Sequence, residues 1–97
     1  MADIEYMDFQ RYMTERRARY HPMMFSQDIM YFCKMWKSHR QMFAQYCKKH
    51  DCVRSYIFLN QRCVEYESAL LKRKLQLSQI NEHEYHAQQR IIEKVYL

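Results

Sequence analysis

The chain has no glycine and a single proline in 97 residues, which removes the usual residue from left-handed turns and tight β-hairpins and costs uninterrupted helix nothing. An all-α fold is expected. A first helix is predicted from about Asp3 to Arg19, with Asp3 and Glu5 suited to its positive end and Arg16, Arg17 and Arg19 to its negative end. Pro22 disfavours helix at His21 and stops it. A second helix starts at Ser26 as N-cap, carries Asp28 in its first turn and reaches about Lys49. Ile29, Phe32, Cys33, Trp36, Phe43, Tyr46 and Cys47 recur along it at three- and four-residue steps, a stripe interrupted near His39 and Arg40.

The polar stretch Lys48-Lys49-His50-Asp51 has the length of a helix–helix connector, with Asp51 placed to cap the third helix. Cys52, Tyr56, Leu59, Cys63, Tyr66, Leu70 and Leu77 hold one face of that helix, and Val53, Ile57, Val64, Leu71 and Leu75 widen it toward more than one neighbour. Asn81 offers a break; without one, helix from Cys52 to the end would extend roughly 70 Å at 1.5 Å per residue, and its far half would need a partner. The expected organisation is one small helical domain over 1–97: an N-terminal helix (1–21), a cysteine hairpin (26–77) and a helical extension (78–97).

The four cysteines, Cys33, Cys47, Cys52 and Cys63, fit that hairpin. Steps of fourteen and eleven residues return to within roughly 40° and 20° of their starting direction at about 100° per residue, so each pair shares one side of its helix. Folding at the connector brings Cys47 beside Cys52 and Cys33 near Cys63, a two-rung disulfide ladder with an axial offset of about 4.5 Å between rungs. Four buried thiols in a reduced protein remain the alternative, since cysteine is among the most buried residue types. Cys47, His50 and Cys52 lack a second ligand pair of zinc-site spacing, and His83-Glu84-Tyr85-His86 has its histidines three apart instead of four, so no metal is expected.

No enzyme is expected either, because a chain without glycine has no phosphate-cradling loop and its serines lack a nucleophile context. No cofactor or small-molecule substrate follows. The net charge of +5 comes from sixteen basic residues interleaved with eleven acidic ones, the densest runs being Arg16-Arg17-Ala18-Arg19 and Lys72-Arg73-Lys74, which reads as solvated helix faces and disfavours nucleic acid as partner. No stretch approaches the roughly 20 apolar residues of a membrane span, and Met1-Ala2-Asp3-Ile4-Glu5 does not read as a secretory or mitochondrial leader. Nine tyrosines and eight methionines, amphipathic and adaptable side chains, favour an interaction protein, with Trp36, Tyr56, Tyr66, Tyr85 and Tyr96 as candidate partner-binding anchors, Trp36 reading equally well as an ordinary core residue.

The C-x13-C, short loop, C-x10-C layout from Cys33 to Cys63 resembles the coiled-coil-helix-coiled-coil-helix class, the twin-cysteine helical hairpins of the mitochondrial intermembrane space. The resemblance implies bonds from Cys33 to Cys63 and from Cys47 to Cys52. It also implies import without a cleavable leader and trapping by oxidation, with Phe43 and Leu59 as the apolar residues an oxidising receptor would recognise. The stretch EYESALLKRKLQL, Glu65 to Leu77, is similar to the charged helix that follows the hairpin in accessory subunits of respiratory complex I. The implied function is a structural subunit of a mitochondrial inner-membrane respiratory complex, lying on the intermembrane-space side among protein partners and lipid headgroups. A reduced cytosolic or nuclear helical adaptor, binding proteins or nucleic acid, is the alternative.

Overall fold

The computed structural model describes residues 4–16 and 29–96, with the side chain of Ile29 excepted, and every described element is helical. The helices are α1 (Ile4–Glu15), α2 (Ile29–His50), α3 (Val53–Gln76) and α4 (Glu82–Tyr96). The all-α expectation holds. Asp3, Arg17, Arg19, Pro22, Ser26 and Asp28, which carried the expected start and end of the first helix and the start of the second, lie outside the described residues. The chain divides into two compact units, Met1–Asn60 and Gln61–Leu97, and the boundary falls inside α3.

Unit 1 is organised by aromatic rings. On α1 the residues Phe9, Tyr12 and Met13, spaced three and four apart, are buried, and they meet Phe32, Trp36 and Phe43 of α2. Phe9 lies at the centre, with ring centroids 5.7 Å from Phe32, 5.5 Å from Trp36 and 5.1 Å from Phe43. The Phe32 and Phe43 contacts are edge-to-face, the arrangement in which a ring's positive edge meets a negative face, worth about 0.5–1.5 kcal/mol each beyond the area buried. The buried polar atoms are served: Trp36 Nε1–H donates to Asn60 Oδ1 at 3.0 Å, and Ser55 Oγ donates to Asp8 Oδ2. His39 and Arg40, the interruption in the α2 stripe, are half-buried, and Tyr12 O–H reaches His39 Nδ1 at 3.0 Å. The ring of His39 thus ties α2 to α1 through this bond, its direction set by the imidazole tautomer.

The turn between α2 and α3 is tighter than the sequence reading had it. Lys48, Lys49 and His50 belong to the last turn of α2, where the two lysine charges suit the helix dipole, and only Asp51 and Cys52 connect the helices. Asp51 does not cap α3. It takes a left-handed φ of 55° and ends α2, while Cys52 N–H donates to Cys47 C=O at 2.9 Å. This is the six-residue closing bond of a Schellman motif, a position that glycine usually fills; aspartate tolerates it better than most residues. Cys52 then stands at the N-cap of α3.

In unit 2, α3 ends the same way: Ser78 has φ 58°, Gln79 N–H donates to Lys74 C=O at 2.9 Å and Ser78 N–H to Leu75 C=O at 3.0 Å. The break at Asn81 is real and has a defined chemistry. Asn81 Oδ1 accepts from Glu84 N–H at 2.8 Å and Glu84 Oε1 accepts from Asn81 N–H at 3.2 Å, the reciprocal pair of a capping box. Farther along the hairpin Gln89 Nε2 donates to Ser68 Oγ at 3.1 Å. The face assignment on α3 needs correction, since Val53 and Ile57 are exposed, and Leu71 is buried while Leu70 and Leu77 are exposed.

Candidate functional site

The side chains that combine proximity with reactive chemistry are the two thiols at the α2–α3 turn. The Schellman motif places Cys47 three positions inside the end of α2 and Cys52 just past it, and in such motifs these two positions commonly touch. Cys47 is fully buried and donates its S–H to the half-buried Cys52 sulfur, while a backbone hydrogen bond from Tyr56 reaches Cys47. Desolvation drives the Cys47 pKa strongly upward, reinforced by its donation to Cys52. Burial raises Cys52 as well; the bond it receives from Cys47 and the Arg11 charge pull the other way, and the Asp8 and Asp51 carboxylates add to the rise. Both therefore stay protonated near neutral pH, and the pair is a slow nucleophile unless a catalyst or alkaline pH supplies a thiolate.

Cys33 and Cys63 are also buried, on α2 and α3 respectively, and none of the four cysteines is joined by a disulfide in the structure. No group of three or more His, Cys, Asp and Glu side chains suited to a metal ion gathers among the described residues. His50, the third member of the C-x2-H-x-C spacing, is exposed and turns its ring to Tyr46 at 4.2 Å, and His83 and His86 are exposed on α4. No described helix is long and apolar enough to cross a membrane.

Of the aromatic residues expected to meet a partner, two are buried and three are partly exposed. Trp36 is fully buried in the core of unit 1, its ring 5.4 Å from that of Tyr56, and its contacts are those of a packing residue. Tyr56, Tyr66 and Tyr85 are half-buried and Tyr96 is buried. The exposed apolar side chains are mainly aliphatic: Val53 and Ile57 on α3 in unit 1, and Leu70, Leu77, Ile91 and Val95 in unit 2. Periodicity had marked several of these as core, because a face drawn from spacing alone is wider than the strip a neighbour covers.

One surface feature escaped the sequence reading. The 22 residues of α2 hold five lysines and arginines and no aspartate or glutamate, a local imbalance that the near-even mixing of charge over the whole chain conceals. Compared with known proteins, the chain matches no family model, no curated protein and no solved structure.

Proposed function

We propose that the chain is a non-catalytic accessory subunit of a mitochondrial inner-membrane respiratory complex, with complex I as first candidate, located on the intermembrane-space side as a twin-cysteine helical hairpin. The observation that carries this reading is the Cys47–Cys52 contact at a two-residue turn between helices, which brings together the two thiols of one rung. The Cys33–Cys63 bond rests on the resemblance. The exposed aliphatic residues Leu70, Leu77, Ile91 and Val95, with the half-buried Tyr56, Tyr66 and Tyr85, supply contact for neighbouring subunits, while Trp36 and Tyr96 are buried.

Intact mass of protein thiol-blocked at lysis, before and after reduction, with mapping of crosslinked peptides, tests it. Two bonds, Cys47–Cys52 and Cys33–Cys63, are expected, together with co-purification of membrane-complex subunits under native conditions. Four alkylated thiols, or a well-folded monomer that captures no partner, overturn it.

A second reading, a reduced helical adaptor, draws on the same turn. Contact between these two positions is ordinary in a Schellman motif, and burial that keeps both thiols protonated suits a permanent dithiol. If that adaptor binds nucleic acid, its affinity falls steeply with salt, whereas apolar helix packing does not respond in this way.

A further inference from the structure

We infer that the outward face of α2 docks on an anionic lipid surface. This deepens the accessory-subunit reading and rests on it for the presence of a membrane, while the face itself is defined by its own residues. Met30, Lys34, Lys37, Gln41, Gln45 and Lys48 are all exposed and fall within an arc of about 80° at 100° per residue, on a helix about 33 Å long. Lys49 is exposed beside them. The carboxylates of the described part of unit 1 are Glu5, Asp8 and Glu15 on α1 and Asp51 in the turn; α2 contributes none. Its own side-chain charges are consequently of one sign along its length.

The chemistry of the face selects among anionic partners. A headgroup layer is a diffuse sheet of charge that lysine meets as a flexible point charge, with its alkyl stem lying along apolar surface. Site-specific phosphate recognition favours the arginine fork, and the one arginine of α2, Arg40, is half-buried. Single-stranded nucleic acid calls for aromatic stacking platforms, and the exposed residues of α2 include no Phe, Tyr or Trp. Met30 and Met42, exposed on the same helix, add apolar contact at the headgroup level. The apolar side of α2 is occupied by the core of unit 1, so docking is electrostatic and shallow, without insertion of the helix.

Co-sedimentation of the full chain with phosphatidylcholine vesicles, pure or with about 30 mol % phosphatidylglycerol, tests this. Binding only to the anionic vesicles is expected, falling as salt rises from about 0.05 to 0.5 M. The variant Lys34→Gln/Lys48→Gln binds roughly 25-fold more weakly, at about fivefold per lysine. A control with the same change in net charge, Arg73→Gln/Lys74→Gln on exposed positions of α3, binds as the parent does. Unchanged helicity by circular dichroism shows that the variants fold. Absence of binding to anionic vesicles, equal loss in the control, or tighter salt-matched binding to duplex DNA than to vesicles each overturns the proposal; whichever occurs, the cysteine mapping and subunit co-purification judge the accessory-subunit reading separately.

Discussion

At the turn in unit 1 the two positions that a Schellman motif brings together are Cys47 and Cys52, one buried and one half-buried, whereas the same positions at the turn in unit 2 are Lys74 and Gln79, both exposed. The same closing bond and left-handed φ are therefore stabilised from opposite directions. In unit 1 the turn carries a fully buried Cys47 and a half-buried Cys52, and burial of these side chains favours the conformation. Among the described residues of unit 2 only Cys63, Leu71 and Tyr96 are buried, and the reciprocal Asn81–Glu84 cap and the Gln89–Ser68 bond hold the second helix. A 15-residue helix is marginal on its own in water, so α4 depends on those local bonds to a degree that α2 does not.

The sharpest way to break this contrast is at Phe9. Its ring is fully buried and touches four other aromatic rings, and Phe9→Ala removes all of those contacts and leaves a cavity that rigid neighbours fill poorly. A loss of about 3–5 kcal/mol is expected, comparable to the whole stability of a small domain. Urea unfolding followed by Trp36 fluorescence should show the midpoint collapse. A loss below about 1 kcal/mol would mean that the aromatic cluster is not the seat of stability in unit 1.

The matching test in unit 2 is Asn81→Ala, which deletes the acceptor for Glu84 N–H and leaves the Glu84 carboxylate without its counterpart in the capping box. The cost is about 1 kcal/mol, read as faster amide exchange along α4 with the Trp36 emission unchanged. Ser78→Gly goes the other way. At φ 58° a residue with a Cβ is strained, so glycine should stabilise by about 0.5–1 kcal/mol, and Asp51→Gly at φ 55° by less, because aspartate already tolerates that region. Equal gains at both turns would remove the difference drawn between them.

The helical class was legible because the glycine count is zero, yet the same count hid the two turns. Both helix ends that the structure describes with a left-handed residue use a non-glycine one, and neither Asp51 nor Ser78 reads as a C-terminal cap when glycine is the expected signal. Asp51 instead resembled an N-cap, the more frequent role of aspartate. The proximity of Cys47 and Cys52 was legible, since it needed only a short connector. The fate of Trp36 was not: spacing places it on an apolar stripe, but only the arrival of Phe9 from α1 shows that the stripe is covered by the chain itself. The acid-free character of α2 was present in plain sight, diluted by averaging charge over the whole chain.

The smallest effect, and the finest test of how α1 is fastened to α2, lies at His39. Burial lowers its pKa and the nearby Arg16 charge lowers it further, and the ring nitrogen Nδ1 is hydrogen-bonded to the Tyr12 hydroxyl. The unfolded chain then binds the proton at a higher pH than the folded one, so the contribution to stability is present above the ordinary histidine range near 6.5 and is lost as pH falls through that value toward the depressed folded pKa. Thermal midpoints should drop over that window in the parent and drop less in His39→Gln, whose side-chain amide can both accept from and donate to a hydroxyl. An undiminished drop in the variant assigns the pH dependence to other groups and reduces the Tyr12–His39 contact to packing; a flatter profile makes His39 the point at which acidity loosens unit 1 while leaving the aromatic cluster intact.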